Sequence, residues 1–217
     1  MLLRAVANIV NFTKFPFHFT FYTPTQPYIL KSRKGVLRMI TDYLKEFVKH
    51  QCNKKDNAFG SAFFEQHIMI VKDYACRLAD ILGADREVVE ISSYLHDISA
   101  VMDINTLSHH SELSSVTADA ILKDKSYDSD KIEAVKKVIK SHSVPIKLGE
   151  GTLEEVCVSN ADAISQIVNP SYWLFFAFSV KKIGYEQGIE WYSQKVKANM
   201  DSLIEQAKNL IDKKPEL

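Results

Sequence analysis

From Ile40 onward, apolar positions recur every three or four residues, and polar or Gly/Pro breaks cut them into runs. Ile40, Tyr43, Leu44 and Phe47 predict a first helix near 39–51, and a polar loop from Asn53 to Gly60 follows it. Phe64, His67/Ile68, Val71, Ala75, Leu78 and Leu82 predict a long amphipathic helix, with Gly83 as its left-handed stop. Val88, Ile91, Leu95 and Ile98 share a face over 86–98. His110, Leu113/Ser114, Thr117 and Ile121 do so over 109–124, and Ile132, Val135, Val138/Ile139 and His142 over 129–142, before Pro145 ends the run. Thr152-Leu-Glu-Glu155 reads as a capping box that opens a helix to about Val168. Asn169-Pro170 breaks it, and two more helices are expected near 171–183 and 186–212. No segment alternates as a strand would, and no internal repeat is visible. The pattern predicts an all-α bundle of about seven or eight helices.

Composition agrees. Gly (7) and Pro (6) are scarce in 217 residues, which favours long helices over a fold with many turns. The 27 basic and 27 acidic residues cancel, so no overall field draws the chain to nucleic acid or to a membrane surface. No apolar run approaches the ~20 residues of a membrane span. The cysteines Cys52, Cys76 and Cys157 are odd in number and far apart, as expected for reduced thiols of a cytoplasmic protein.

The first forty residues read differently. No acid precedes Asp42, aromatics are dense, and Pro16, Pro24 and Pro27 interrupt any period. A targeting peptide is one reading. The preferred one is a leader or mis-assigned start over 1–38, with the domain running over 39–217. Lys34-Gly35-Val36 can be encoded by AAA-GGA-GTN, a purine-rich ribosome-binding sequence just ahead of Met39.

Five of the seven histidines lie between 67 and 142. His67, His110 and His142 fall on the inward stripes of separate helices, whereas His109 is phased outward. One buried imidazole is an ordinary core residue, but three turned to one core each need a partner, and a shared cation supplies it. His96-Asp97 sits at the end of an apolar helix. Asp162, in Ser-Asn-Ala-Asp-Ala-Ile-Ser, is an acid flanking another apolar stripe, which is costly unless it is paired or metal-bound.

The order His67, His96-Asp97, Asp162 resembles the H…HD…D signature of the HD superfamily of metal-dependent phosphohydrolases. Gln66-His67-Ile-Met-Ile-Val71, Leu82-Gly-Ala-Asp-Arg-Glu-Val-Val89, Tyr94-Leu-His-Asp-Ile98 and Asn160-Ala-Asp162 are similar to its successive motifs, over roughly 60–168. His110-Ser-Glu-Leu-Ser-Ser115 and Ile139-Lys-Ser-His142 resemble the extra histidine motifs of a subgroup near the small bacterial HD nucleotide pyrophosphohydrolases. Two features depart from relatives: no Gly-Tyr-Pro follows His142, and Ile70 stands where some carry an Arg.

The resemblance implies a metal shell of His67, His96, Asp97 and Asp162, with His110 and His142 binding a second ion or the substrate phosphate. Such a mixed N/O shell suits Mn, Fe, Co or Zn better than Mg, as one or two ions. The implied reaction is attack by a metal-activated water on a phosphoester or phosphoanhydride of a nucleotide or small phosphorylated metabolite. Asp97 is then the bridge between ions, and His110 or His142 the general acid if only one ion is held. Lys140 and Lys147 are candidate phosphate clamps. The alternatives are a catalytically silent HD regulatory module and a di-iron oxygenase on the same fold. The aromatic run Tyr172–Phe178 is read as core, with a homodimer surface as the other option.

Overall fold

The computed structural model describes residues 33–212, with side chains from Met39 to Ile211. The leader expected over 1–38 lies largely outside these residues. The first helix, α1 (Arg33–Cys52), begins before the expected boundary at Met39. Among the described residues there is no strand. A single π-turn (Phe64–Ile68) leads into α2 (Met69–Leu82), followed by α3 (Arg86–Leu95), the short α4 (Ile98–Met102), a 3₁₀ segment (Ile104–His109), α5 (His110–Asp124), α6 (Ser129–Ser141) and α7 (Leu153–Val168). Then come α8 (Pro170–Phe175), a second π-turn (Phe176–Val180), α9 (Tyr185–Ser202) and α10 (Glu205–Asp212). The all-helical expectation is met.

The local signals act as their chemistry requires. Gly83 closes α2 at φ 73°, with its N–H bonded to Ala79 O. The Asp85 side chain accepts from the N–H groups of Glu87 and Val88 to open α3. Thr152 and Glu155 cap each other at the start of α7. α7 packs along α2, α6 along α5, and α3 lies against α2, α6 and α7. Leu44, Val71, Leu78, Ile91, Leu95, Val135, Ile139, Val158 and Ile164 fill the centre and are inaccessible or nearly so. Cys52, Cys76 and Cys157 are free and buried. No described helix is long and apolar enough to cross a membrane.

Three expected boundaries move. The long helix at Phe64 starts as a π-turn, and the helix drawn over 86–98 stops at Leu95. The helix expected over 186–212 is split at Leu203, where the backbone becomes extended (ψ 142°). There the buried Ile204 N–H bonds Asn160 Oδ1 at 2.9 Å. Asn160 also donates to Ile146 O and Val156 O, so one amide ties the C-terminal helices to α7. In the aromatic run, Tyr172, Trp173, Phe176 and Ala177 are buried and Phe175 is exposed.

Candidate metal centre

Six residues from five places in the chain meet at one point. His67 lies inside the first π-turn, whose wide turn carries the ring into the bundle; such turns concentrate at functional sites. His96 and Asp97 occupy the break between α3 and α4. Had the helix continued, neighbouring side chains would diverge by about 100°. Instead Asp97 adopts φ −108°, ψ 9°, and its carboxylate turns back towards the His96 ring. His110 is the first residue of α5 and His142 follows the last of α6. Asp162 comes from the middle of α7.

The distances show how the donors are shared. Asp97 Oδ2 is 3.3 Å from His67 Nε2 and 3.4 Å from His96 Nε2, while Asp97 Oδ1 is 3.4 Å from His110 Nε2 and 3.5 Å from His142 Nε2. Asp162 Oδ1 stands 3.5 Å from His67 Nε2. One carboxylate thus faces two imidazole pairs, one with each oxygen. His67, His96 and Asp162, and likewise His96, Asp97 and His142, form groups able to hold a metal ion.

The hydrogen bonds around the four rings define what this cluster lacks. His96 Nδ1 lies 2.9 Å from Ser93 O, His110 Nδ1 2.8 Å from Leu107 O, and His142 Nδ1 2.6 Å from Ile139 O. A carbonyl only accepts, so each of these Nδ1 atoms carries a proton. His67 Nδ1 is 2.8 Å from Ser165 Oγ, and that hydroxyl already donates to Asp162 O, so here too Nδ1 is the donor. In the neutral rings all four Nε2 lone pairs are bare. Yet His67 and His96 Nε2 are 2.9 Å apart, and His110 and His142 Nε2 3.2 Å apart. Lone pairs at that separation repel unless a cation lies among them, and fixing Nδ1 by an outer partner is the usual way to orient a ligating imidazole. The donor set therefore fits divalent metal.

The electrostatics point the same way. Burial would raise the Asp97 carboxyl, but the surrounding imidazoles of His96, His142 and His67 outweigh it and hold it well below the usual carboxylate range. Burial pushes His67 down, against the pull of Asp97 and Asp162. His96 is also opposed by burial, but Asp97 and Asp162 prevail and raise it to about 9. Without metal, the cluster keeps a proton on His96 where an ion would sit.

The structure brings His67, His96, Asp97, Asp162, His110 and His142 together. It leaves Lys140 exposed and paired with Glu112 (3.0 Å), and Lys147 exposed on the loop after α6. His109 is exposed.

Two contributors were missed in the sequence. Ser165 was visible as the residue on the same helical face as Asp162, but its task of holding His67 Nδ1 depends on a helix far away in sequence. The second is Lys195 of α9. A cavity beside the metal cluster is lined by His142, Asn160, Asp162, Gln166, Lys195 and Asn199, among others. Nothing in the spacing of α9 sets Lys195 apart from its neighbouring lysines.

Residues 64–167 match the family model of the HD domain, and this segment contains all six clustered residues. No curated protein matches the chain by sequence. Among solved structures the chain is similar to a predicted HD superfamily hydrolase from an uncultured Thermotogales bacterium, with a TM-score of 0.51 and 19% identity over 74% of this chain and 87% of that one. At that identity the likeness concerns the fold.

Proposed function

We propose that the chain, whose residues 64–167 match the HD domain, is a phosphohydrolase dependent on two divalent transition-metal ions. Its substrate is a phosphoester or phosphoanhydride of a nucleotide or small phosphorylated metabolite. The observation that carries this reading is the convergence of four Nε2 atoms on the two oxygens of Asp97. His67, His96 and Asp162 would hold one ion, His110 and His142 the other, and Asp97 would bridge them. Bound there, the ions supply Lewis acidity towards a phosphoryl oxygen and a water of lowered pKa.

The protein's own part is positional. Ser165 and the carbonyls of Ser93, Leu107 and Ile139 fix the four rings in one tautomer. Gln166 Nε2 donates to Asp162 Oδ2 at 3.0 Å and sets that carboxylate's angle. Phe63 stacks on the His67 ring (centroids 4.7 Å) and Trp173 stands edge-on to it (5.3 Å), closing that side to water. His110, with 21% of its side chain accessible against 2% for His142, is the ring of the cluster most open to solvent.

The test is phosphate or pyrophosphate release from a panel of nucleotides, phosphomonoesters and cyclic dinucleotides by stripped protein reloaded with Mn²⁺, Fe²⁺, Co²⁺ or Zn²⁺. Release from at least one panel member, lost on chelation, is expected. Protein that holds metal but releases nothing from any of them favours a silent regulatory module.

A further inference from the structure

Lys195 stands apart from the other lysines near the site. It is half-buried on α9, outside the segment that matches the HD domain. Among the residues lining the cavity beside Asp162 it is the only lysine or arginine. Its Nζ lies over two indole faces, 5.9 Å from the Trp173 centroid and 5.8 Å from that of Trp191, and among the described residues it makes no ion pair and no hydrogen bond. The carboxylate beside it is already engaged, since Asp162 faces His67 and accepts from Gln166. Gln166 is held in turn by Asn199 Nδ2 at 2.9 Å, so the polar wall is braced independently of the lysine.

An ammonium taken partly out of water without a carboxylate is costly, and indole faces compensate it only in part. A phosphate oxygen is the partner that its charge and its opening fit. The other candidate cations do not line this cavity, whereas Lys195 shares it with the metal-ligand candidates His142 and Asp162.

We propose that Lys195 binds a non-bridging phosphate oxygen of the substrate, so that α9, and not the matched HD segment, supplies the phosphate-recognising cation. This rests on the hydrolase reading above. Lys195 touches substrate only and has no part in holding metal.

The chain contains two tryptophans, and both flank Lys195. Drawing the ammonium from the indoles to an anion therefore changes the protein's own fluorescence. The experiment titrates inorganic phosphate into Mn²⁺-loaded full-length chain, wild type, K195Q and K195R, following tryptophan emission and heat, with metal content measured on each sample. The expected result is unchanged metal content, phosphate bound roughly tenfold more weakly by K195Q with no emission change, and affinity largely restored by K195R, the scale of one charge-assisted hydrogen bond. K195R keeps the charge and the stem, so it answers the question even if K195Q folds poorly. K195Q binding phosphate as tightly as wild type overturns the role of Lys195 and leaves the hydrolase reading standing. Metal-loaded wild type that binds no phosphate overturns both.

Discussion

The Nε2 atoms of His110 and His142 face each other across 3.2 Å, and each ring has its Nδ1 turned to the carbonyl of the residue three positions earlier. His96 repeats the device with Ser93. At a helix start, after a helix end and in a helix break, the same local bond thus sends Nε2 towards Asp97. This is how a bundle with no strand among its described residues aims three of the four rings at one carboxylate, the fourth, His67, being held by Ser165.

The two halves of the cluster are separable. His142→Ala removes a donor from the His110 side only, so the purified variant is expected to hold about one equivalent of metal where wild type holds about two. Asp97→Ala removes the oxygens facing both pairs and is expected to abolish metal retention altogether. Elemental analysis after reloading and desalting reads both; an Asp97→Ala protein that keeps the wild-type content contradicts the bridging role.

Metal and proton compete for His96. Its pKa in the metal-free fold is raised from 6.5 to about 9, so near pH 7.5 the ring is protonated and must lose that proton to ligate. Apparent metal affinity should therefore climb with pH up to about 9 and level off above it. Calorimetry at pH 7.5 in two buffers of different ionisation enthalpy should show about one proton released for the first ion. The raised pKa also adds stability to the metal-free protein below pH 6.5, and this is lost as pH rises through about 9.

At the start of α7, Glu155 titrates with the opposite sign. Burial would raise its carboxyl, but the Thr152 N–H and Lys137 ammonium outweigh burial and hold it below 4.5. A depressed carboxylate adds stability above its ordinary pKa that disappears as pH falls through the folded value. Glu155→Gln keeps the capping geometry and loses the charge, so urea unfolding should show a small deficit at pH 7, a few tenths of a kcal/mol because Lys137 is largely exposed. That deficit should vanish well below pH 4.5.

Gly188 sets how closely α9 approaches the second π-turn. A Cβ there would stand 2.4 Å from Phe178 Cε1. In an open helix Gly→Ala gains up to about 1 kcal/mol. Here the displaced ring should reverse the sign, with a loss of about 1–3 kcal/mol. Thermal melting of Gly188→Ala checks it; a raised Tm would show that Phe178 moves aside freely.

Much of the fold could be read from periodicity, because the helices here are amphipathic and carry clear stops at Gly83, Pro145 and Pro170. The candidate ligands could be read because an imidazole or carboxylate on an apolar stripe is costly enough to need a reason. What escaped depends on long-range contact. The split at Leu203 is enforced by Asn160, from another helix. The break at His96-Asp97 carries no Gly or Pro to announce it. The π-turn at His67 looks in sequence like any first turn. Lys195 and Ser165 acquire their roles only when α9, α7 and the first π-turn are brought together.

The arrangement of the cluster is tested most directly by an anomalous-scattering map from crystals of the Mn²⁺-loaded protein. Two peaks are expected, about 3.5–4 Å apart as in two-metal sites. Asp97 should lie between them, with His67 and His96 bound to one through Nε2 and His110 and His142 bound to the other. A single peak elsewhere in the molecule, or imidazoles bound through Nδ1 with their backbone hydrogen bonds broken, would contradict it.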